Sequence, residues 1–577
     1  MKIKKIIQRD IPNAHSLPKA IHPVLKRVYA SRNIQTTDDL DYSLSSLFPY
    51  DTLTGISNAV LLLQEAIIKK SRILIVADFD ADGATSCALA IRGLTLMGAE
   101  DIVYVVPNRF EYGYGLTPEI VDVALDYDPD LLITVDNGIS SIEGVKRARE
   151  NGVKVLITDH HLPGNQLPDA DAIVNPQLNG DKFPSKNLAG VGVVFYILLA
   201  LRAALREQGW FDKANLSIPN LAQLLDIVAL GTVADVVPLD KNNRIMVAHG
   251  LKLIKKDKSI AGIAAILDMA GRPLPTLSAS DLGFCIAPRL NAAGRLTDMS
   301  LGIECLLTDD TQEAKKMAEQ LDQLNKERRS IQTEMQEQAT IELGGYLEKS
   351  SSAIAQGICL FNPRWHQGVI GILAAKVKET FNRPVIVFAK ESEEDSGVIK
   401  GSARSINGLH IRDCLEDMTR LNPELILSFG GHAMAAGLTI KESQFELFSE
   451  CFNEVIKDYI SLEDMQDICV TDGELSTEDY SLQLAAEIES AGPWGQKFPE
   501  PVFEGKFTVL EKRIVGGNHL KLKLQTDNRI LDAIAFNITD EDWPTGTSEI
   551  LSTYRLGINY FRGDRSLQLL IEYLNPL

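Results

Sequence analysis

Residues 72–83 read Arg72-Ile73-Leu74-Ile75-Val76-Ala77-Asp78-Phe79-Asp80-Ala81-Asp82-Gly83, an apolar run that ends in three aspartates. The run has no polar alternation, which is typical of a parallel strand buried on both faces of a sheet. In open α/β sheets, ligands bind just beyond the carboxyl ends of such strands. The stretch therefore predicts a parallel α/β sheet with a functional site at the end of this strand.

Further polar clusters follow the next apolar runs. Asp136-Asn137-Gly138 follows the run 131–135, and Asp159-His160-His161 follows the run 153–158. Asp235 stands in a fourth apolar stretch, after Gly231-Thr232-Val233-Ala234. Carboxylates gathered at one sheet edge repel each other strongly unless cations hold them together. We therefore expect a metal site.

The ligand types indicate which metal this site would bind. Aspartate and histidine without thiolate suit Mn²⁺ or Mg²⁺, and two such ions can activate a water against a phosphoryl centre. One aspartate at a strand end could instead cap a helix N-terminus, and Asp82 before Gly83 is a candidate for that role. For the whole set, we favour a site for two Mn²⁺ or Mg²⁺ ions.

The composition is that of a multidomain protein. A chain of 577 residues is too long for one core. No apolar run approaches the roughly 18 residues that a membrane span requires. The seven cysteines are scattered and form no CxxC pair, which favours reduced thiols. These features predict a cytoplasmic enzyme with no membrane association.

The net charge of −20 is unevenly distributed. Residues 441–490 hold fourteen Asp or Glu and two Lys, a net charge of −12. A local basic groove elsewhere can still attract a polyanion, because local potential steers binding. The net charge therefore does not exclude DNA or RNA as a partner.

The pattern of elements predicts an α/β protein with a C-terminal barrel. Strands and helices alternate from about residue 70 to 175, and a second α/β unit follows a long helix. Arg328 interrupts the apolar stripe of that helix, which favours a connecting helix over a coiled coil. Five alternating runs near the C-terminus predict a barrel of the OB kind. The predicted segments are an N-terminal segment 1–70, a catalytic domain 71–308, a connecting helix 309–345, an α/β domain 346–460, an acidic linker 461–500 and a barrel 501–577.

Three glycine-containing or polar segments have two interpretations each. Gly430-Gly431-His432 follows a strand and could admit a phosphate at a helix start, or could allow close packing. Gly190-Val191-Gly192 lacks the context of a dinucleotide fingerprint, so we favour helix packing there. Basic residues alternate with aromatic ones in the barrel, which suits single-strand binding or, for the aromatic residues, a barrel core.

The ordered motifs Asp-x-Asp-x-Asp-Gly, Asp-Asn-Gly, Asp-His-His and Gly-Thr-Val-Ala-Asp resemble those of the DHH phosphoesterase family. Further motifs resemble those of the single-strand-specific 5′→3′ DNA exonucleases of that family. These motifs are Tyr29-Ala30-Ser31-Arg32, Pro107-Asn108-Arg109, Tyr112-Gly113-Tyr114-Gly115-Leu116, the run 287–295, the run 365–371 and Ser428-Phe429-Gly430-Gly431-His432. The resemblance implies a DHH domain and a DHH-associated domain joined by the long helix, followed by an OB-like barrel.

The resemblance also implies roles for particular residues. The implied metal ligands are Asp78, Asp80, Asp82, Asp136, His160 and Asp235, with Asp136 bridging two ions. The implied catalytic residues are His161, His432 and Asp159, of which Asp159 would chiefly position its loop. The implied nucleic-acid contacts are Arg109, Tyr114, Arg289, Ser402, Arg404, Gly430 and Gly431.

The activity implied by the resemblance is two-metal hydrolysis of single-stranded DNA from its 5′ end, releasing 5′-mononucleotides in DNA repair and recombination. The implied partners are a single-strand-binding protein and a helicase, and the chain is expected to be a monomer. One alternative is a DHH phosphatase or phosphodiesterase acting on small or cyclic nucleotides. Another is an inactive DNA-binding scaffold, which the complete set of Asp and His ligands disfavours.

Overall fold

The computed structural model describes residues 4–12, 17–107, 115–349, 356–391, 397–460, 467–538, 543, 548–561 and 564–577. The chain forms two compact units. The first contains Gln8–Leu324 and Val470–Leu577, and the second contains Asn325–Cys469 with the described N-terminal residues up to Ile7. The C-terminal barrel therefore belongs to the same unit as the N-terminal sheet. The domain boundaries given above stay a prediction.

The strands are β1 (Lys5–Gln8), β2 (Ile73–Ala77), β3 (Ile102–Val105), β4 (Leu131–Val135), β5 (Lys154–Thr158), β6 (Ala172–Val174), β7 (Ile358–Phe361), β8 (Val385–Lys390), β9 (Val398–Arg404), β10 (Ser428–Gly431), β11 (Ala435–Lys441), β12 (Ile468–Thr471), β13 (Phe503–Val515), β14 (His519–Thr526), β15 (Arg529–Phe536), β16 (Glu549–Phe561) and β17 (Asp564–Pro576).

The α-helices are α1 (Pro23–Ala30), α2 (Ile56–Lys69), α3 (Ala81–Leu96), α4 (Pro118–Leu125), α5 (Ile142–Glu150), α6 (Gly190–Glu207), α7 (Trp210–Lys213), α8 (Leu225–Ala234), α9 (Lys241–Lys255), α10 (Ala261–Met269), α11 (Ala279–Asp281), α12 (Ala287–Leu296), α13 (Ser300–Leu307), α14 (Thr311–Lys349), α15 (Ile370–Phe381), α16 (Ile411–Leu421), α17 (Phe445–Tyr459) and α18 (Leu482–Ala491). A π-helix spans Leu282–Ile286, and 3₁₀ turns span Asp38–Leu40, Leu44–Ser46, Tyr50–Thr52, Leu221–Leu224, Leu274–Thr276, Glu442–Gln444 and Thr477–Asp479.

The sheet of the first unit is parallel throughout, with the order β3-β2-β4-β5-β6. Every residue of β2 and β4 is buried. Ile73 and Ile75 face one hydrophobic core, whereas Leu74 and Val76 face the core on the opposite side of the sheet. A strand buried on both faces needs apolar side chains at nearly every position, which is why the apolar runs of the sequence predict this sheet.

The second unit contains a mixed sheet with the order β10-β11-β9-β8-β7. Only β7 and β8 pair in parallel among its described strands. The prediction that a helix starts after Gly430-Gly431-His432 is wrong, because the chain turns there from β10 into the antiparallel strand β11. Small residues at 433–437 carry little hydrophobic periodicity, and pairing with β9 decides their conformation.

The C-terminal strands close into a barrel, with the order β13-β14-β15-β17-β16. This confirms the predicted OB-like barrel. Phe507 and Tyr554 are buried in it, so these two aromatic residues build the barrel core. Tyr560 is 47% exposed, and the Arg565 guanidinium lies 5.6 Å from its ring centre. A base-stacking role therefore remains open at the barrel surface, outside its core.

The predicted connecting helix is α14. Its interrupting residue, Arg328, is buried, and its guanidinium donates to Asn325 (2.6 Å) and Gln332 (2.8 Å) of the same helix. These two hydrogen bonds offset part of the cost of burying a charged guanidinium within the apolar stripe of α14. Among the described helices, none is both long and apolar enough to cross a membrane.

Candidate metal centre and nucleic-acid interface

The carboxyl ends of three adjacent strands bring the predicted ligands together. β2, β4 and β5 pair in parallel, with Ala77 opposite Val135 and Val135 opposite Thr158. Asp78, Asp136 and Asp159 are the next residues along these strands, so they lie side by side at one edge of the sheet. Neighbouring strands are about 4.8 Å apart, which is close enough for their side chains to share an ion.

Three overlapping groups of side chains could each hold a metal ion. Within each group the ligand atoms lie within 4.8 Å of one another. The groups are Asp78, Asp80 and Asp136; Asp136, His160 and His161; and Asp82, His160 and Asp235. Asp136 and His160 each belong to two groups. All six predicted metal ligands are therefore gathered in one place, together with His161.

His160 lies among the carboxylates. Its Nε2 atom is 3.1 Å from an oxygen of Asp136, 3.4 Å from one of Asp235 and 3.9 Å from one of Asp82. Asp82 and Asp136 are almost fully buried. The donor set lacks a thiolate and is dominated by carboxylate oxygens, the ligands that Mn²⁺ and Mg²⁺ prefer.

Mutual repulsion in this cluster changes the pKa values of its carboxyl groups. Burial and the charge of Asp80 raise the pKa of Asp82 to about 7. Burial and the charge of Asp82 raise the pKa values of Asp136 and Asp235 well above the ordinary value. Buried carboxylates held this close need a compensating positive charge to stay ionised at neutral pH. The residues present therefore fit divalent cations.

Local backbone features hold Asp136 in place. Asp136 has φ 63°, a left-handed conformation that aspartate adopts more readily than most residues. Asn137, the next residue, is buried, and its Nδ2 atom donates to the carbonyl oxygens of Val76 (3.1 Å) and Val135 (2.9 Å). Asn137 thus ties the ends of β2 and β4 together beside the predicted metal ligands.

Asp80, rather than Asp82, caps helix α3. The Asp80 carboxylate accepts bonds from the backbone N–H groups of Asp82 (2.9 Å) and Gly83 (3.0 Å). The suggested capping role of Asp82 is therefore wrong. Asp80 also belongs to the group with Asp78 and Asp136.

Asp82 instead accepts bonds from the N-terminus of α6, an interaction that the sequence did not reveal. The backbone N–H groups of Gly190 (2.6 Å) and Val191 (3.0 Å) donate to its two carboxylate oxygens. A Cβ atom at Gly190 would lie 2.7 Å from the Cβ of Asp136. The glycine at this position is required for the helix N-terminus to approach the carboxylates. Its only sequence signal is the Gly-Val-Gly run, whose pattern favours helix packing.

Asp159 orients both histidines. One of its oxygens accepts bonds from the backbone N–H groups of His160 (2.7 Å) and His161 (3.1 Å) and lies 2.7 Å from His161 Nδ1. The other oxygen accepts from the N–H of Ile139 (2.9 Å). Burial by itself would lower the pKa of His161, but the hydrogen bond and charge of Asp159 outweigh it and raise this pKa to about 9.

Ser402 and Arg404, the predicted phosphate contacts of the second unit, lie at a helix N-terminus. Both residues are on β9, and Arg404 Nη1 donates to Ser402 Oγ (3.1 Å). A Cβ atom at Gly371, in the first turn of α15, would lie 3.0 Å from both Ser402 Oγ and Arg404 Nη2. A hydroxyl, a guanidinium and helix N–H groups together suit an anion.

Gly430, Gly431 and His432 form the tip of the β10–β11 hairpin. Gly431 has φ 143°, and a Cβ atom there would lie 2.5 Å from the carbonyl oxygen of Ala435. The backbone N–H of His432 donates to that same oxygen (2.8 Å). The geometry requires a glycine at 431, whereas a Cβ atom at Gly430 would meet open space.

Comparison with known proteins supports the same organisation. Three family models match the chain: the DHH family N-terminal domain over residues 72–232, the DHHA1 domain over 352–458 and the RecJ OB domain over 471–573. The chain is 50% identical over 577 residues to the single-stranded-DNA-specific exonuclease RecJ of Salmonella typhimurium, covering 100% of this chain and 99% of the relative. The chain belongs to the RecJ family.

Other RecJ proteins are similar in sequence and structure. The chain is 49% identical over 573 residues to RecJ of Escherichia coli, covering 99% of each protein. The crystal structure of RecJ from Thermus thermophilus in complex with Mn²⁺ has a TM-score of 0.80 at 28% identity, covering 99% of this chain and 79% of that one. A structure of exonuclease RecJ bound to manganese has a TM-score of 0.57 at 33% identity, covering 71% and 98%.

Two of the predicted nucleic-acid contacts, Arg109 and Tyr114, lie outside the described residues. Arg289 is described, and its guanidinium donates to Asp322 (2.9 Å) and to the carbonyl oxygen of Cys285 (2.6 Å). These contacts fix Arg289 to the protein itself, and its predicted contact with nucleic acid stays a prediction.

Proposed function

We propose that this chain is a metal-dependent exonuclease that degrades single-stranded DNA from its 5′ end and releases 5′-mononucleotides. The observation that carries the proposal is the cluster of buried carboxylates and His160 at the end of the parallel sheet. Membership of the RecJ family supports single-stranded DNA as the substrate. The DHHA1 and OB matches support it further, because a small nucleotide needs no separate strand-holding barrel.

We infer that the centre holds two ions, for which Mn²⁺ and Mg²⁺ are the candidates. Asp78 and Asp80 would hold one ion, Asp82, His160 and Asp235 the other, and Asp136 would bridge them. Two bound divalent cations lower the pKa of a water molecule and stabilise the charge that develops on a phosphodiester. The bonds from α6 to Asp82 and from Asn137 to the strand ends keep these ligands in place.

His161 and Asp159 would handle the substrate phosphate. The hydrogen bond and charge of Asp159 favour the protonated His161 imidazole, which can donate a hydrogen bond to a phosphate oxygen. Asp159 holds the ring through its contact with Nδ1. In this arrangement Asp159 orients the His161 ring, and the other aspartates would bind the ions.

The 5′→3′ direction requires a pocket for the terminal phosphate. Ser402 and Arg404 beside the first turn of α15 offer a hydroxyl, a guanidinium fork and a helix N-terminus for it. The family resemblance also implies that Arg109 contacts the 5′ end, that His432 and the hairpin glycines contact the scissile phosphate, and that Arg289 and Tyr114 contact the strand.

The deciding experiment uses single-stranded and duplex DNA labelled at either end, with Mn²⁺, Mg²⁺ or EDTA. We expect mononucleotides from the 5′ end of single strands only, and no product with EDTA or in Asp136→Ala. Faster turnover of a dinucleotide than of a long strand would instead indicate a small-nucleotide phosphodiesterase. Absence of hydrolysis in clean, metal-loaded protein would indicate an inactive scaffold.

We also propose the cellular setting that the family resemblance implies. The chain would act as a monomer in DNA repair and recombination in the cytoplasm, together with a single-strand-binding protein and a helicase. All seven cysteines lie in described segments and carry free thiols, which is compatible with a reducing compartment. Co-purification of the chain with such partners, and its elution volume as a free protein, would test these points.

A further inference from the structure

The loop that follows the metal-site residue Asp235 contains a strained residue. Val236, the next residue, has φ 59° and is 61% exposed. A β-branched residue in the left-handed region is a genuine outlier, and it persists only where the surroundings hold the backbone in place. The loop 235–239 must therefore be held by contacts from outside itself.

A turn far along the chain supplies such a contact. The backbone N–H of Leu239 donates to the carbonyl oxygen of Gln496 (2.8 Å). A Cβ atom at Gly495 would lie 2.7 Å from Leu239 Cδ1, so the turn packs tightly against this buried side chain. We call residues 492–499, which precede the barrel, the bracing turn.

The bracing turn is also fixed through its aromatic rings. The Phe498 ring is fully buried, stacks on Trp494 at 5.0 Å and lies 4.3 Å from the Arg244 guanidinium. Arg244, on α9, donates to the carbonyl oxygen of Leu239 (2.9 Å). Both backbone groups of Leu239 are therefore held, one by the turn and one by the arginine that packs on the turn.

A buried ion pair anchors the other side of the bracing turn. Arg32 Nε donates to the carbonyl oxygen of Pro499 (2.8 Å), and its two terminal nitrogens donate to the two oxygens of Asp472 (2.7 and 3.0 Å). Both charged side chains are only 1% exposed. Asp472 also accepts from the backbone N–H of Val502, at the entry to the barrel. Arg32 thus connects the barrel entry to the bracing turn.

We propose that the bracing turn is a positioning element for the metal centre, which holds the loop 235–239 so that the Asp235 carboxylate faces His160 and Asp82. Arg32 and Asp472 keep the turn in place. This assigns a positioning role to Arg32 of the motif Tyr29-Ala30-Ser31-Arg32. The inference rests on the proposed metal-dependent function, because it assigns a ligand role to Asp235.

The test measures Mn²⁺ binding to the full-length chain after removal of metals, by titration calorimetry with Mn²⁺ alone. Phe498→Leu removes the ring that packs between Trp494 and Arg244. Groups that orient metal ligands typically contribute about 10-fold or more in metal affinity. We therefore expect about 10-fold weaker binding of the Mn²⁺ ion that Asp235 would hold. The matched control is Phe211→Leu, an identical change of a buried ring in α7 of the same unit, which should leave Mn²⁺ affinity unchanged.

Equal Mn²⁺ affinity in Phe498→Leu and Phe211→Leu would overturn the proposal. Gly495→Ala provides a second variant if Phe498→Leu does not fold, because the added methyl group presses on Leu239 alone. Parent-like Mn²⁺ binding in a folded Gly495→Ala protein would also overturn it. Failure of the proposed function would look different: the parent chain would bind Mn²⁺ and release no nucleotide, while the comparison of variants would still be informative.

Discussion

Gly190→Ala tests whether the N-terminus of α6 must contact the carboxylates proposed to bind metal. The added Cβ atom would lie 2.7 Å from the Cβ and 2.8 Å from an oxygen of Asp136. Carbon atoms in ordinary contact are about 3.5–4.0 Å apart, so the helix or Asp136 must move by about 1 Å. A displacement of that size at a catalytic group costs roughly 100-fold in rate, or about 2.7 kcal/mol of activation free energy.

The assay is the initial rate of nucleotide release from single-stranded DNA over a range of Mn²⁺ concentrations, with a thermal melt of each variant. The matched control is Gly192→Ala in the same helix, where the nearest atom to the new Cβ is a Leu188 side-chain carbon at 3.2 Å. A contact of 3.2 Å requires the neighbour to shift by only a few tenths of an ångström, so this variant should keep a rate close to that of the parent. A folded Gly190→Ala protein with the parent rate would refute the reasoning, and so would an equal loss in both variants.

Three further predictions concern stability and metal binding. Asn137→Ala removes two buried hydrogen bonds to strand-end carbonyls and should lower the free energy of unfolding in urea by about 2–3 kcal/mol; an unchanged midpoint and slope would contradict this. Arg32→Met removes the guanidinium that pairs with both oxygens of the buried Asp472 and should lower the free energy of unfolding by about 3–5 kcal/mol, whereas adding Asp472→Leu should recover much of the loss. A double variant no more stable than Arg32→Met would contradict this. In the metal-free protein the pKa of Asp82 is about 7, and Mn²⁺ binds the deprotonated carboxylate, so binding should weaken as pH falls. We expect about 10-fold weaker Mn²⁺ binding at about pH 6 than at about pH 8, with proton release in calorimetry, and a pH-independent affinity would exclude this titration.

The strand-end motifs could be interpreted correctly from the sequence because each combines two local signals. An apolar run of strand length identifies the buried strand, and the polar residues after it must then lie at the carboxyl edge of the sheet. Asp78 and Asp136 are close for this reason, since register in a parallel sheet places consecutive strand ends side by side. The barrel was predictable for a similar reason, because alternating residues identify its strands.

Other features depend on contacts between distant parts of the chain. The approach of Gly190 to Asp82 joins residues separated by 108 positions, and a Gly-Val-Gly run has the same local pattern whether it packs on a helix or on a carboxylate. The hairpin after Gly431 was missed because its small residues have weak preferences that pairing with β9 overrides.

The amino-acid sequence by itself determined the buried parallel strands, the acidic and histidine residues that follow them, and the order of sheet, helix and barrel, because these depend on local composition and periodicity. Only the tertiary structure decided that a helix N-terminus supports Asp82, that Asn137 ties two strands together and that the bracing turn holds the loop after Asp235. Each of these depends on a distance between residues far apart in the chain. Such distances follow from the packing of whole elements, and no local pattern encodes them.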